Sequence, residues 1–374
     1  MLTSLIALAA LAAQDVPEAP EPAPHSFDIE VIADMEEPWA LAFLPDGRML
    51  VTEKAGRLLV VNGDGEVETD VSGVPEVDYG GQGGLGDVVL HPDFAENGMI
   101  YLSYAEAGRR NRRGAAVGRG VLDLENGTLE DFEVIWRQNP KVTGRGHYGH
   151  RLAFTPDGEY LFISSGERQK FNPAQAMNMN LGKIVRVYPD GSIPEDNPFY
   201  DQGGVTREIW TLGMRNPLGL DFDAEGNLWE VEMGPRHGDE FQRIEKGENY
   251  GYPKVSMGDH YSGREIPDHS EGDGFRAPDE YWVPAISPSS LLMYKGDMFP
   301  EWTGSALIGA LSGQALVRVT LDCDTDPDGV CEAERFDMGA RIRAVDEAAD
   351  GSVYLMEDGG ERGEGRILRL TPKN

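Results

Sequence analysis

Helical periodicity is nearly missing from this chain. After residue 27 no stretch carries apolar residues at the three- and four-residue spacing of an amphipathic helix. No Gly-rich turn stands between a strand and a helix, so a dinucleotide-binding α/β reading fails. Basic residues are scarce as well: 33 Lys and Arg face 65 Asp and Glu, a net charge of −32. Such a surface repels phosphate backbones and excludes nucleic acid as a partner. It serves solubility, or it steers a basic redox partner. Cysteine is limited to Cys323 and Cys331, inside DCDTDPDGVC. In an oxidising compartment the pair closes a small acidic loop; otherwise it stays as two thiols. The apolar run at residues 1–13, MLTSLIALAALAA, falls short of the about 20 residues that a bilayer span needs. Its small-residue end, followed by Gln14 and Asp15, reads as a signal peptide, although a basic n-region is missing. No cysteine lies nearby to carry a lipid. The expected location is periplasmic or secreted, with no stable membrane insertion. Residues 14–26 read as an acidic, Pro-rich linker that cannot build a core, so the folded domain is expected to span residues 27–374.

What the chain has in excess is turns: 47 glycines and 24 prolines. One pattern recurs, an apolar strand, a turn ending in Gly after Asp, Glu or Asn, and a second apolar strand. It appears as LAFLPDGRMLVTEK at 41–54, VVLHPDFAENGMIYLSYA at 88–105 and LAFTPDGEYLFISSGE at 152–167. Further copies are LDFDAEGNLWEVEMG at 220–234 and VDEAADGSVYLMED at 345–358. Glycine there supplies the positive φ that tight hairpin turns need. The turn glycines are Gly47, Gly98, Gly158, Gly226 and Gly351, and the last interval is about twice the others. A degenerate copy, SLLMYKGDMFPEWTGSALIGAL at 290–311, falls inside it. Six units of blade length predict an all-β chain folded as a six-bladed β-propeller, with function in the loops at one mouth of its channel.

Those loops carry unusual polar segments, in order: GQGGLGDVVLHPDF, HxxxRLAF, GKIVRVYPDGSIPEDNPF, RNPLGL, GPRHGDE and NYGYP. As a set, from about Pro38 to Pro372, they resemble the glucose/sorbosone dehydrogenase family, whose soluble members use PQQ and calcium. The resemblance implies a quinoprotein sugar dehydrogenase that oxidises an aldose to its lactone and passes electrons to a quinone or cytochrome acceptor. His147, the histidine of the HxxxR segment, then serves as general base, because a carbinol must lose its hydroxyl proton as hydride leaves the same carbon. The plainer alternative is a turn histidine bonded to backbone. His150, three residues on, stands where relatives carry a small residue and is the competing base.

Arg215 and Asn216 match the pair that contacts the reactive quinone oxygen, where negative charge develops. Gln82 matches another cofactor contact. Arg341 and Arg343 match arginines that hold the carboxylates of PQQ, or else form an ordinary surface ion pair. Gly234 and Pro235 match carbonyls that bind the cofactor calcium, and Glu240 with the Tyr250 carbonyl matches a second, structural calcium. The run DTDPDG at 324–329 lacks a glutamate at the twelfth position and reads as an acidic hairpin tip. Arg109, Arg110, Arg112 and Arg113 form a basic cluster, a solvated loop or a docking point for an acidic partner.

Departures from the family pattern remove polar contacts. Ser312 stands where relatives have a lysine and Ala285 where a hydroxyl is usual; Val283, Met214, Met233 and 177–179 are also unusual. They keep two other functions in view: a propeller without PQQ that binds sugars or other ligands, and a calcium-dependent lactonase.

Overall fold

The computed structural model describes residues 21–323, 329–359 and 363–373. The leader at 1–13 and residues 324–328 of the acidic tip lie outside the described residues. Twenty-four strands form six antiparallel four-stranded sheets. Five sheets are built from consecutive strands and fall at 38–70, 85–137, 149–212, 217–282 and 288–337. The sixth joins Ile342–Glu347, Val353–Glu357 and Glu364–Pro372 to the N-terminal strand Phe27–Glu36, with Phe27 opposite Pro372. Pairing the first strand with the last closes the ring without a free seam. Helix is confined, among the described residues, to Phe94–Asn97 and three short 3₁₀ turns.

The first strand of each sheet touches the first strand of the next all the way round, from Pro38–Phe43 through Ile342–Glu347 and back. The six expected units are therefore the six blades, and the degenerate one supplies Pro288–Met293 and Ala306–Ala310. Its turn glycine is Gly304, at φ 80°. Second strands such as Met49–Glu53 and Leu161–Ser165 are buried along their whole length, because both faces of each sheet lie against neighbouring blades. Six large apolar clusters result, one in each gap between adjacent blades.

The arginine of the HxxxR segment occupies the axis. Arg151 pairs with Asp87 of the second blade at 3.0 Å and donates to the carbonyls of Leu218, Ser289 and Arg343 in the fourth, fifth and sixth. Its guanidinium also lies 4.2 Å from the ring of Trp39 in the first. One side chain thus touches every other blade. Ahead of the first strand, the Ala23 amide donates to the Arg335 carbonyl and His25 stacks on Phe27, so the end of the linker lies along the fifth blade. Cys323 and Cys331 are joined as a disulfide. No helix among the described residues is long and apolar enough to cross a membrane.

Candidate active site

In a propeller of this topology the loops entering each blade and those between its second and third strands share one end. His147, Arg215, Asn216, Ser287 and Arg341 all precede first strands, so the ring brings them together although they are spread through the sequence. His147 is nearly buried, 6% exposed, and its left-handed backbone is anchored where its amide donates to Gln82 Oε1 at 2.6 Å. Its ring bonds to a carboxylate rather than to backbone: Nδ1 donates to Glu167 Oε1 at 2.5 Å. Nε2 has no hydrogen-bond partner among the described residues and is left as an acceptor. Glu167 sits just past a blade strand, and Gly166 precedes it because a Cβ there would meet the His147 carbonyl at 2.3 Å. Burial works against the charge of Glu167, but the His147 N–H and the amides of the following loop outweigh it and hold the carboxyl below its usual range. Burial pushes His147 below the ordinary histidine value, the Glu167 bond opposes this, and Arg215 and Arg168 add to burial.

His150 has a different setting. It stacks on Tyr148 at 5.2 Å and meets Trp39 edge-on, and neither ring nitrogen has a hydrogen-bond partner among the described residues. Burial first, then Arg168 and Arg151, push it down to about 3.

A cavity of about 600 Å³ is lined in part by Gln82, Tyr148, His150, Asn216, Lys54, Arg341 and Arg343; His147 adjoins it in the chain through Tyr148 but does not line it. Arg341 and Arg343 both reach Asp358, and Arg341 Nε is a buried donor without an acceptor. Arg215 and Asn216 are fixed through backbone, since both amides donate to Glu232 Oε2, and Arg215 Nη1 donates to the Met233 carbonyl. Arg215 Nε is another buried donor without a partner. Glu232 pairs across strands with Glu240, and burial raises both carboxyls well above their usual range. Glu240 accepts from the Met257 amide and faces Ser256. The carbonyls of Gly234, Pro235 and Tyr250 accept no backbone hydrogen bond among the described residues. No three His, Cys, Asp or Glu side chains among the described residues converge as a metal-binding group.

Of the unusual residues, Ser312 bonds to Ser287 at 2.7 Å, Met233 lines the cavity, and Met214 is core between the third and fourth blades. Of the arginine cluster, Arg113 is buried and paired with Asp78, while Arg109, Arg110 and Arg112 are exposed. Glu167, Glu232 and Lys54 are not among the residues expected at the site. Glu167 had a signal, a lone acid in the turn directly after the strand SSG; Lys54, closing the first repeat, had none.

A buried histidine held by a carboxylate lies next to a cavity lined by Lys54, Arg341 and Arg343, where the loops entering the blades of the closed ring meet. The profile of the Glucose / Sorbosone dehydrogenase family matches residues 35–369. The aldose sugar dehydrogenase YliI of Escherichia coli is 40% identical over 360 residues, covering 94% of this chain and 95% of that protein. The crystal structure of the soluble aldose sugar dehydrogenase of Escherichia coli in its apo-form has TM-score 0.86 at 40% identity, covering 93% of this chain and 100% of the other. The PQQ-bound aldose sugar dehydrogenase of Streptomyces coelicolor has TM-score 0.73 at 26% identity, covering 94% and 100%. The chain belongs to the glucose/sorbosone dehydrogenase family and is an oxidoreductase.

The residues present fit the groups that the family resemblance implies. PQQ is a flat tricarboxylate, and Lys54, Arg341 and Arg343 bring cationic donors to one cavity, with the Arg341 Nε still to be satisfied. Calcium takes hard oxygens, and the Gly234 and Pro235 carbonyls have no backbone donor among the described residues.

Proposed function

We propose that this enzyme oxidises the hydroxyl of an aldose to the lactone, with PQQ and calcium as cofactors and His147 as general base. The observation that carries the reading is the His147–Glu167 pair beside the cationic cavity. Glu167 holds the proton on Nδ1, which leaves Nε2 to take the hydroxyl proton of the sugar, and its charge then stabilises the imidazolium. Arg341, Arg343, Lys54, Gln82 and Asn216 would hold PQQ, with Arg215 beside them as a further donor. PQQ, when bound, supplies a two-electron acceptor for the hydride of the carbinol carbon. Gly234 and Pro235 would bind its calcium through carbonyls, and Glu240 with the Tyr250 carbonyl a structural one. Electrons would leave to a quinone or cytochrome, and the signal-peptide reading of residues 1–13 supports a periplasmic or secreted location.

The test is reconstitution of the apo-protein with PQQ and calcium, followed by dye reduction with a panel of aldoses. Turnover only when both are added supports the reading; sugar binding without dye reduction replaces it with the binding-module alternative. Arg341→Ala or Arg343→Ala is expected to weaken PQQ reconstitution about tenfold while turnover at saturating PQQ changes less. Chelation is expected to lower the melting temperature by mass action, and Glu240→Ala to remove much of that difference.

A further inference from the structure

The hairpin between the second and third strands of the second blade reaches further than its neighbours on the same end of the ring. In the first and third blades the second strand ends level with the start of the first, Glu53 opposite Pro38 and Ser165 opposite Gly149. In the second blade Tyr104 is opposite Leu85, and the hairpin runs three residues on, to Ala107 opposite Arg113. At the rise of a strand this carries its tip about 10 Å beyond the rim.

The tip holds Arg109, Arg110, Asn111 and Arg112, all exposed. The Arg112 amide donates to the Arg109 carbonyl at 3.3 Å, and Arg110 and Asn111 both lie at φ 57°. That is the backbone of a primed hairpin turn, which asks for Asn or Gly at both central places. Arg110 keeps a charge where the turn itself would be better served by a small residue, and such a cost marks a functional surface. None of the three arginines has a side-chain partner among the described residues, whereas the exposed Arg57 and Arg137 each hold a carboxylate at 2.9 Å. Glu106, the acid closest to the tip in sequence, is taken by Arg137 and Lys141. The root of the hairpin is tied to the site. Arg168 Nη1 donates to the Arg113 carbonyl at 2.8 Å, and its guanidinium lies 3.7 Å from the ring of Tyr148, which lines the cavity.

We propose that this arginine tip is the docking point of an acidic electron-acceptor protein, which comes to the mouth of the ring to collect the electrons of sugar oxidation. The inference rests on the dehydrogenase reading above. An aldose gives up two electrons and two protons in becoming a lactone. Two oxidised haem partners, each reduced by one electron, carry the electrons away, and the protons go to solvent. The net charge of −32 opposes an acidic partner, but exposed charges are screened beyond about 8 Å at physiological salt. A tip that projects about 10 Å therefore presents its cations ahead of the acidic body. A small partner meets the tip alone, whereas a flat anionic membrane meets the rest of an acidic molecule as well. The tip segment EAGRRNRRG also has no large apolar side chain to insert into lipid.

The test compares the wild-type holoenzyme with a variant carrying Arg109→Gln, Arg110→Asn and Arg112→Gln. The acceptors are an acidic c-type cytochrome, the basic mitochondrial cytochrome c and an uncharged short-chain benzoquinone. Asn suits the turn, so the variant is expected to melt at or above the wild-type temperature. At low salt its kcat/KM for the acidic cytochrome is expected to fall about tenfold, and the difference to fade as salt is raised. The quinone rate should stay within about twofold, since no charge guides a neutral acceptor. Binding of the acidic cytochrome without sugar, followed by sedimentation, should weaken by a similar factor, a readout independent of turnover. Lysine at the same three positions should restore both. Reduction of the acidic cytochrome that ignores the substitutions, or reduction of the basic cytochrome alone, overturns the docking point and leaves the dehydrogenase reading intact. An equal loss with the quinone also overturns it, because the arginines then serve the site itself. Substitution-sensitive binding to phosphatidylglycerol vesicles, with none to the cytochrome, overturns it in favour of a membrane contact. Substitution-sensitive cytochrome binding, in a protein that oxidises no sugar with any acceptor, keeps the docking surface and removes the oxidation.

Discussion

Two histidines three residues apart, on one segment and both buried, have opposite chemistry. His147 gives Nδ1 to a carboxylate, and its Nε2 has no partner among the described residues. His150 lies between Tyr148 and Trp39, with Arg168 and Arg151 nearby and no hydrogen-bond partner at its ring among the described residues. Burial depresses both, yet only His147 has a partner that supports a proton once it arrives. Burial keeps a histidine neutral; a carboxylate behind it is what makes a neutral histidine useful as a base.

The sharpest way to break that contrast is to delete each ring in turn. His147→Ala, loaded with PQQ, is expected to lose turnover by about a hundred- to ten-thousandfold while still binding PQQ. His150→Ala should stay within the same order of magnitude as wild type. Steady-state rates of the two variants, with absorbance to check cofactor loading, decide it; the reverse pattern would make His150 the base.

A smaller effect is expected from Glu167→Gln, which keeps a side chain of the same shape without the charge. Turnover should fall on the order of ten- to a hundredfold, because the imidazolium loses its counter-charge and the ring its fixed tautomer. The pH profile carries the sign. The Glu167 bond raises the His147 value, so its removal should move the acid limb of kcat/KM to lower pH, from a wild-type limb already below about 6.5. A limb that moves upward would show that Glu167 does not act through His147.

The smallest effect is on stability. His150 has a folded value near 3 against an ordinary 6.5, so on acidification the unfolded chain binds a proton that the folded chain refuses. Stability is full above about pH 6.5 and is lost as pH falls toward 3, by about 2 kcal/mol between pH 6.5 and 5. His150→Phe should flatten that part of the denaturation profile. An unaltered slope would mean that the ring is solvated in solution.

What the sequence made legible was local. Alternating strands and turn glycines announce hairpins within a dozen residues, so five blades and even the degenerate one around Gly304 could be read. Partnerships across blades left no such trace. Glu167 becomes the partner of His147 only because two loops meet at one end of a blade, and Lys54 reaches the cavity from the first blade. The expected site residues Gln82, Asn216, Arg341 and Arg343 do share one cavity. Gly234, Pro235 and Tyr250 lie on loops and Glu240 on the strand Asp239–Ile244, in segments with no spacing rule that could have been read.

The single guanidinium at the axis has a consequence for how this protein can change. Repeat arrays usually gain or lose units one at a time, because each repeat answers only to its neighbours. Here Arg151 answers to five blades at once, and removing one side of a buried ion pair such as Arg151–Asp87 typically costs about 3–5 kcal/mol. Deleting or duplicating a blade would leave that cation short of acceptors or place it off centre. The blades look like copies, but the hub has turned them into specialised parts of one wheel, and their number is no longer free to drift.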